Sequence, residues 1–235
     1  MTRREAVGGR DGTGRSSGGS APEAPRSCPL CPRLAAFRAT NAAAEPQWFN
    51  GPVPSFGSED ARLLIVGLAP GLRGANRTGR PFTGDYAGDL LYATLLAQGL
   101  ARGTYAARPD DGLQLVECMI SNAVRCVPPE NKPTPREVRT CNRFLAARIA
   151  SLPNLTAIVA LGRIAHDATL DAIGCKRSAC AFAHGARHRL GADLMLFDSF
   201  HCSRYNTNTG RLTTAMFTSV IAAARDHAYP SPRPA

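Results

Sequence analysis

The sequence predicts a three-layer α/β/α sandwich built on a central four-stranded parallel sheet. Three observations carry this reading: four short apolar runs lie well apart in the chain, helical patterns separate and follow them, and each run leads into a glycine-rich or polar segment. Strands that alternate with helices pair in parallel through right-handed crossovers. In such sheets ligands bind beyond the carboxyl ends of the strands, so those polar segments are where a site is expected.

Residues 1–27 are rich in Gly, Ser, Pro and Arg and offer almost nothing to bury, which predicts a disordered tail. Residues 229–235 read the same way, because their prolines cannot continue a helix. The folded domain is therefore expected over residues 28–228. Within it the expected strands are Leu63 to Leu68, Leu115 to Val124, Thr156 to Leu161 and Leu194 to Phe200. The expected helices run from Asp85 to Leu100, with Asp85 a natural N-cap, from Thr134 to Leu152, from Gly162 to Ile173 and from Leu212 to His227.

Composition narrows the function. The 235-residue chain is 44% hydrophobic, enough for a real core, yet no apolar run approaches the roughly 18 residues of a membrane helix. Its N-terminus lacks the apolar stretch of a secretory signal, so a cytosolic protein is expected, monomeric by default. With 28 basic against 18 acidic side chains the formal charge is +10. That excess suits a polyanionic partner, although an arginine-rich chain with only Lys132 and Lys176 for lysines also fits a biased base composition.

Three segments after the strands hold the candidate chemistry. Gly67 to Tyr92 carries glycines at 67, 71, 74, 79, 84 and 88, letting backbone approach a ligand, but it matches neither the Walker nor the dinucleotide pattern. The segment NAVRCVPPENKPTPREV supplies Asn122, Asn131 and Lys132 on a proline-stiffened loop, and SFHCSRYNTNTGRLT places His201 at a strand end. Eight cysteines in a reducing compartment point to metal ligation or buried thiols. Cys28 and Cys31 form a Cys-x-x-Cys knuckle, with Cys126 and Cys141 available to complete it; Cys175 and Cys180 also lie close in sequence, and Cys118 and Cys202 in or beside strands. Spacing alone allows zinc or an iron-sulfur cluster.

Taken together, the Cys-x-x-Cys-x-Arg-Leu opening, GLAPG, ANRTGRPFTGD, AVRCVPPENKPTP, ALGRIA and SFHCSRYNTNTGRLT resemble, in order, the iron-sulfur uracil-DNA glycosylases, most closely their type B (family 5) branch. The resemblance implies a [4Fe-4S] cluster on Cys28, Cys31, Cys126 and Cys141. It further implies a monofunctional glycosylase that flips uracil out of DNA and excises it, leaving an abasic site in base excision repair. It assigns Phe82 to stack on the base, Asn122 to read it beside Gly67, Ala69 and Gly71, and His201, Asp85 and Asn131 to catalysis. Asp85 also suits a plain helix cap, and Asn131 a loop cap.

Leu68 stands where the type A branch has an acid, and the first motif lacks the tyrosine that bars thymine in other uracil glycosylases. A less guarded pocket implies hypoxanthine, xanthine and etheno-cytosine as further substrates. Arg73, Arg77, Arg80, Arg204 and Arg211 are expected to meet phosphates of single- or double-stranded DNA, which would associate the protein with the nucleoid, and Tyr205 to wedge into the vacated stack. Two rivals stand beside this reading. One is a binding module without catalysis, which needs neither His201 nor Asp85; the other is a branch that traps the sugar covalently, whose basic insertion is absent between Gly74 and Asp85.

Overall fold

The computed structural model describes residues 22–230. Its elements are α1 (Pro32–Ala44), β1 (Phe56–Gly57), β2 (Leu63–Gly67), α2 (Ala75–Thr78), α3 (Tyr86–Ala97), β3 (Ala101–Arg102), β4 (Gln114–Leu115) and β5 (Cys118–Asn122), followed by α4 (Pro135–Ala150), β6 (Ala157–Leu161), α5 (Arg163–Ala172), β7 (Arg187–Arg189), β8 (Met195–Ser199), α6 (Arg204–Asn208) and α7 (Thr214–Ala228).

The main sheet runs β1-β5-β2-β6-β8-β7. Its inner four strands are parallel, as expected, and they are almost wholly buried. Continuous apolar runs are what strands covered on both faces require. The sheet nevertheless has six strands rather than four, because β1 and β7 add antiparallel edges. Those edges hold two and three residues, Phe-Gly and Arg-His-Arg, too short and too polar to form an apolar run. The second expected strand is also shorter than its run, since Glu117 takes a φ of 45° and separates β4 from β5.

Side-chain alternation divides the core into two layers. Leu63 and Ile65 of β2 face α3 and α7, where Leu91, Leu95, Phe217 and Ile221 meet them. Leu64 and Val66 face α1, α4 and α5, against Leu34, Val138, Leu145 and Ala168. Helix α1 leaves little trace in the sequence because it buries only Leu34 and Arg38.

Residues 22–27 belong to the packed domain, a correction to the N-terminal boundary. Glu23 pairs with the buried Arg125 and Arg148 at 3.4 and 2.7 Å, and the Pro22 carbonyl accepts from Arg125 at 3.2 Å. Composition did not foresee this because the two arginines that fix the segment lie more than a hundred residues downstream. Tyr229, assigned to the second tail, likewise donates its hydroxyl to the Glu117 carbonyl. Residues 1–21 and 231–235 of the expected tails lie outside the described residues. No helix among the described residues is long and apolar enough to cross a membrane.

Helix α4 begins with a capping box. Thr134 Oγ1 accepts from the Glu137 amide at 3.2 Å, and Glu137 Oε2 accepts from the Thr134 amide at 2.7 Å. The same carboxylate takes both arms of Arg33, at 2.8 and 2.7 Å, which ties α1 to the start of α4. Thr134→Ala is expected to lower unfolding free energy by about 1 kcal/mol in urea denaturation.

Candidate active site

In the β2–β5 register Gly67 stands opposite Asn122 at the carboxyl ends of both strands. A Cβ on Gly67 would lie 2.4 Å from Asn122 Oδ1 and 2.6 Å from the Phe82 ring, so only glycine admits both side chains. Phe82 itself adopts a φ of 53°, a conformation costly for a bulky residue. Its surroundings enforce it: the Tyr92 hydroxyl donates to the Pro81 carbonyl at 2.6 Å, and Tyr105 donates to the Phe82 carbonyl at 3.2 Å. Gly88 then lets helix α3 approach that carbonyl closely.

His201 follows β8. Its carbonyl accepts from Asn206 Nδ2 at 2.8 Å, and the adjacent Cys202, fully buried, donates its thiol to the Ala87 carbonyl at 3.4 Å. The His201 loop is thus fastened to the first turn of α3. Cys202 has a place in the fold as a tether between these two segments, and burial pushes its thiol up to about 12. The imidazole of His201 faces Phe82 at a centroid distance of 5.9 Å and an angle of 27°. Burial lowers its pKa to about 4, so the ring is neutral at physiological pH.

Asp85 fills both roles that its position allows. Oδ1 accepts from the Gly88 amide at 3.2 Å as the α3 N-cap, while Oδ2 lies against Gly71 and Gly74. Side chains at those glycines would displace it. Burial raises its pKa, only partly offset by the amide bonds it accepts.

These groups surround one cavity of about 660 Å³, within the usual range for small-molecule sites. Ala69, Gly71, Arg73, Phe82, Asp85, Asn122, Asn131, His201 and Arg204 all line it. Asn122 is 2% exposed, and its Oδ1 has no hydrogen-bond partner among the described residues. Asn131 projects from the proline loop with a φ of 57°. Sequence reasoning missed Leu72 and Tyr86, exposed apolar side chains at the rim, although Leu72 stands directly after GLAPG. The Arg204 guanidinium lies 5.1 Å from the Tyr86 ring, bridging the two sides of the mouth.

The other basic candidates divide. Arg73, Arg77, Arg204 and Arg211 are exposed, and Tyr205 is 71% exposed. Arg77 lines a neighbouring groove, and Arg211 covers the Phe200 ring at 4.5 Å. Arg80 does not belong with them. It is 5% exposed, gives both terminal nitrogens to Asp111 at 2.8 Å, donates Nε to Thr83 at 2.7 Å and lies among Phe56, Tyr92 and Tyr105. A guanidinium so enclosed cannot reach a phosphate; instead it holds the Asp111 carboxyl well below the usual range.

On the opposite layer Cys28, Cys126 and Cys141 are buried and Cys31 partly so, around one small hollow with Arg125 and Phe144. The Arg125 amide donates to Cys141 Sγ at 3.3 Å. Arg38, buried beside them, donates to the Arg26 and Cys28 carbonyls at 3.0 and 2.7 Å. Burial pushes the Cys126 and Cys141 thiols up to about 12 and about 11. Four converging thiols amid arginines fit a thiolate-bound group carrying negative charge. Among the described residues, the candidate ligand atoms gathered within 4.8 Å of one another are those of His166, His188 and Asp198 instead. Four thiolates can hold either a zinc ion or an iron-sulfur cluster.

Fold and site together define an α/β enzyme with a cavity walled by an aromatic ring, an amide, an imidazole and a carboxylate at the carboxyl end of its sheet. Comparison with known proteins gives the family: residues 54–225 match the uracil DNA glycosylase superfamily. The chain is similar to the type-5 uracil-DNA glycosylase of Thermus thermophilus, with 47% identity over 84% of this chain and 92% of that one. It is 42% identical to the Mycobacterium tuberculosis type-5 enzyme over 84% of this chain and 77% of that one. A type-4 enzyme of Archaeoglobus fulgidus matches over 48% of this chain at 38% identity. The chain belongs to the uracil-DNA glycosylase superfamily, and these type-5 relatives match it over more of its length than the type-4 enzyme does.

Arg80→Ala is expected to destabilise the protein by about 3 kcal/mol, because it strands the Asp111 carboxylate. Thermal unfolding checks this, and the salt dependence of DNA binding by the folded fraction should be unchanged.

Proposed function

We propose that this protein is a monofunctional uracil-DNA glycosylase that flips uracil out of DNA and hydrolyses its glycosidic bond, leaving an abasic site. The observation that carries this is the convergence of an unpaired buried amide, an aromatic face, a neutral imidazole and a buried carboxylate on one cavity.

The extruded base stacks on Phe82, whose fixed ring costs no reordering at binding. Asn122 Oδ1, already desolvated, accepts from the uracil N3–H, and its amide nitrogen donates to O4. As the bond from C1′ to N1 breaks, its electron pair moves onto the base, and charge develops at O2. His201 donates a hydrogen bond there from a neutral ring, stabilising the anion without prior protonation. Asp85 Oδ2 offsets the cationic sugar and orients the water that adds to C1′, while Asn131 closes the edge of the cavity. The water gives its proton to the Asp85 carboxylate, which releases it to solvent, while uracil leaves as its anion and the sugar becomes a hemiacetal.

Cys28, Cys31, Cys126 and Cys141 would hold a [4Fe-4S] cluster. When bound it supplies iron–thiolate bonds that join the N-terminal segment to the proline loop and α4. Phosphates of single- or double-stranded DNA meet Arg73, Arg77, Arg204 and Arg211, and Tyr205 enters the gap left by the base. The broad cavity, without a tyrosine in the first motif, also suits hypoxanthine, xanthine and etheno-cytosine. The protein acts as a monomer in the cytosol, associated with the nucleoid through DNA.

The test is single-turnover excision from labelled uracil duplexes in EDTA, followed by alkali. Wild type should cleave at uracil, and His201→Ala should lose 10²-fold or more, on the order expected for a lost charge-stabilising donor. The buried Asp85 must be ionised to act, and its pKa is raised, so the wild-type rate should fall as pH drops through that pKa. Asp85→Asn should be slow and lack this acid limb. A folded wild type inert on uracil and on deaminated purines would return the binding module. Independently, Cys126→Ser should lose the visible iron-sulfur absorbance and bound iron of anaerobically purified protein.

A further inference from the structure

Beside the cavity runs a second groove of about 470 Å³, bordered by Gln47, Trp48 and Phe49 on one side and by Ala107, Arg108 and Asp110 on the other, with Arg77 between them. Both walls are rooted in the segment that carries the active-site loop. The first is locked to α2: the Phe49 and Asn50 amides each donate, at 2.9 Å, to the Arg77 and Asn76 carbonyls. The fully buried Asn76 donates its side-chain amide to Asn50 Oδ1 at 2.9 Å. Asn50 takes a φ of 49° and donates its own amide back to the Glu45 carbonyl at 2.7 Å, closing the turn around Trp48.

Phe49 is held within the scaffold. Its ring packs on Gly79, and the Arg26 guanidinium covers it at 4.0 Å. Trp48 lines the groove. The second wall hangs from Asp111, which accepts from the Ala106 amide at 2.9 Å and binds Arg80 with both oxygens. Arg80 thus fixes the far wall to the Phe82 loop, which gives this buried arginine a purpose at the surface.

The groove neighbours the candidate site: the Arg77 guanidinium reaches Gly84, next to Asp85. Its charge is net positive: Arg77 has no acidic partner among the described residues, while Arg108 and Asp110 offset each other at 3.2 Å. A half-buried indole lining the groove beside a guanidinium without an acidic partner matches a base with its phosphate.

We propose that this groove binds an unpaired nucleotide of the DNA strand flanking the extruded base, which stacks on Trp48 while Arg77 takes its phosphate. The inference rests on the glycosylase reading for its DNA partner, yet the groove's occupancy can be measured without excision. An unpaired flank implies a preference for single-stranded or frayed substrate.

Trp48 is the chain's single tryptophan, so its emission reports on this groove alone. Titrating the full cluster-loaded chain with uracil-free oligothymidylate should quench and saturate that emission, whereas thymidine-free poly-abasic strand of equal charge should leave it nearly unchanged. Trp48→Ala should raise the KM for single-stranded uracil substrate about tenfold, within the range of one base–aromatic stack, and move kcat less than twofold. Trp48→Phe, which keeps an aromatic face, should recover most of the loss and covers the case in which the alanine variant does not fold. Silent tryptophan emission at saturating oligonucleotide, or a Trp48→Phe variant no better than a folded alanine variant, overturns the proposal. Excision with a silent Trp48 sinks only this inference, and quenching without excision on any lesion sinks only the glycosylase reading.

Discussion

The catalytic edge depends on a side chain that is absent. Gly67 and Asn122 stand opposite one another where β2 and β5 end, and the volume that a Cβ would take is occupied by the Asn122 amide and the Phe82 ring. Parallel pairing brings the two strand ends level, and the missing Cβ lets two cavity-lining side chains meet there. The strained backbone of Phe82, the two tyrosine hydroxyls that hold it and the close approach of α3 at Gly88 all support this one contact. A displaced Phe82 would open the wall against which Asp85 and His201 are set.

Buried charge organises the rest. Arg80 and Asp111 join the Phe82 loop to the 106–111 segment, and Glu23 joins the N-terminal segment to Arg125 and Arg148. Each pair forms between segments distant in sequence, and removing one member leaves a desolvated ion behind. Arg38 differs in having carbonyls as its hydrogen-bond acceptors. Its charge favours the thiolate forms of Cys31 and Cys126 against the larger opposing effect of burial.

Much of the design was legible in the chain. The four inner strands announced themselves as apolar runs because both of their faces are covered, and helices α3, α4, α5 and α7 because one face of each is. Of the cavity-lining residues, Asn122, Asn131 and His201 were found because they end or follow strands, and Phe82 and Asp85 because their segment resembles that of the family. What escaped lacked a periodic signature: the edge strands Phe56–Gly57 and Arg187–Arg189, the nearly unburied α1, and the boundary at Pro22. Arg80 was misplaced on the DNA face because a sequence shows an arginine's charge and its neighbours in the chain, while Asp111, which buries it, lies 31 positions away.

The sequence by itself therefore determined the layer architecture, the strand ends that carry the site and the types of group available there, since hydrophobic period and loop chemistry are local properties. Only the tertiary structure decided which arginines remain free, how the two oxygens of Asp85 divide between capping and cavity, and that His201 sits neutral beside Phe82. Those outcomes depend on desolvation and on partners brought together from distant positions, and neither exists until the chain has folded.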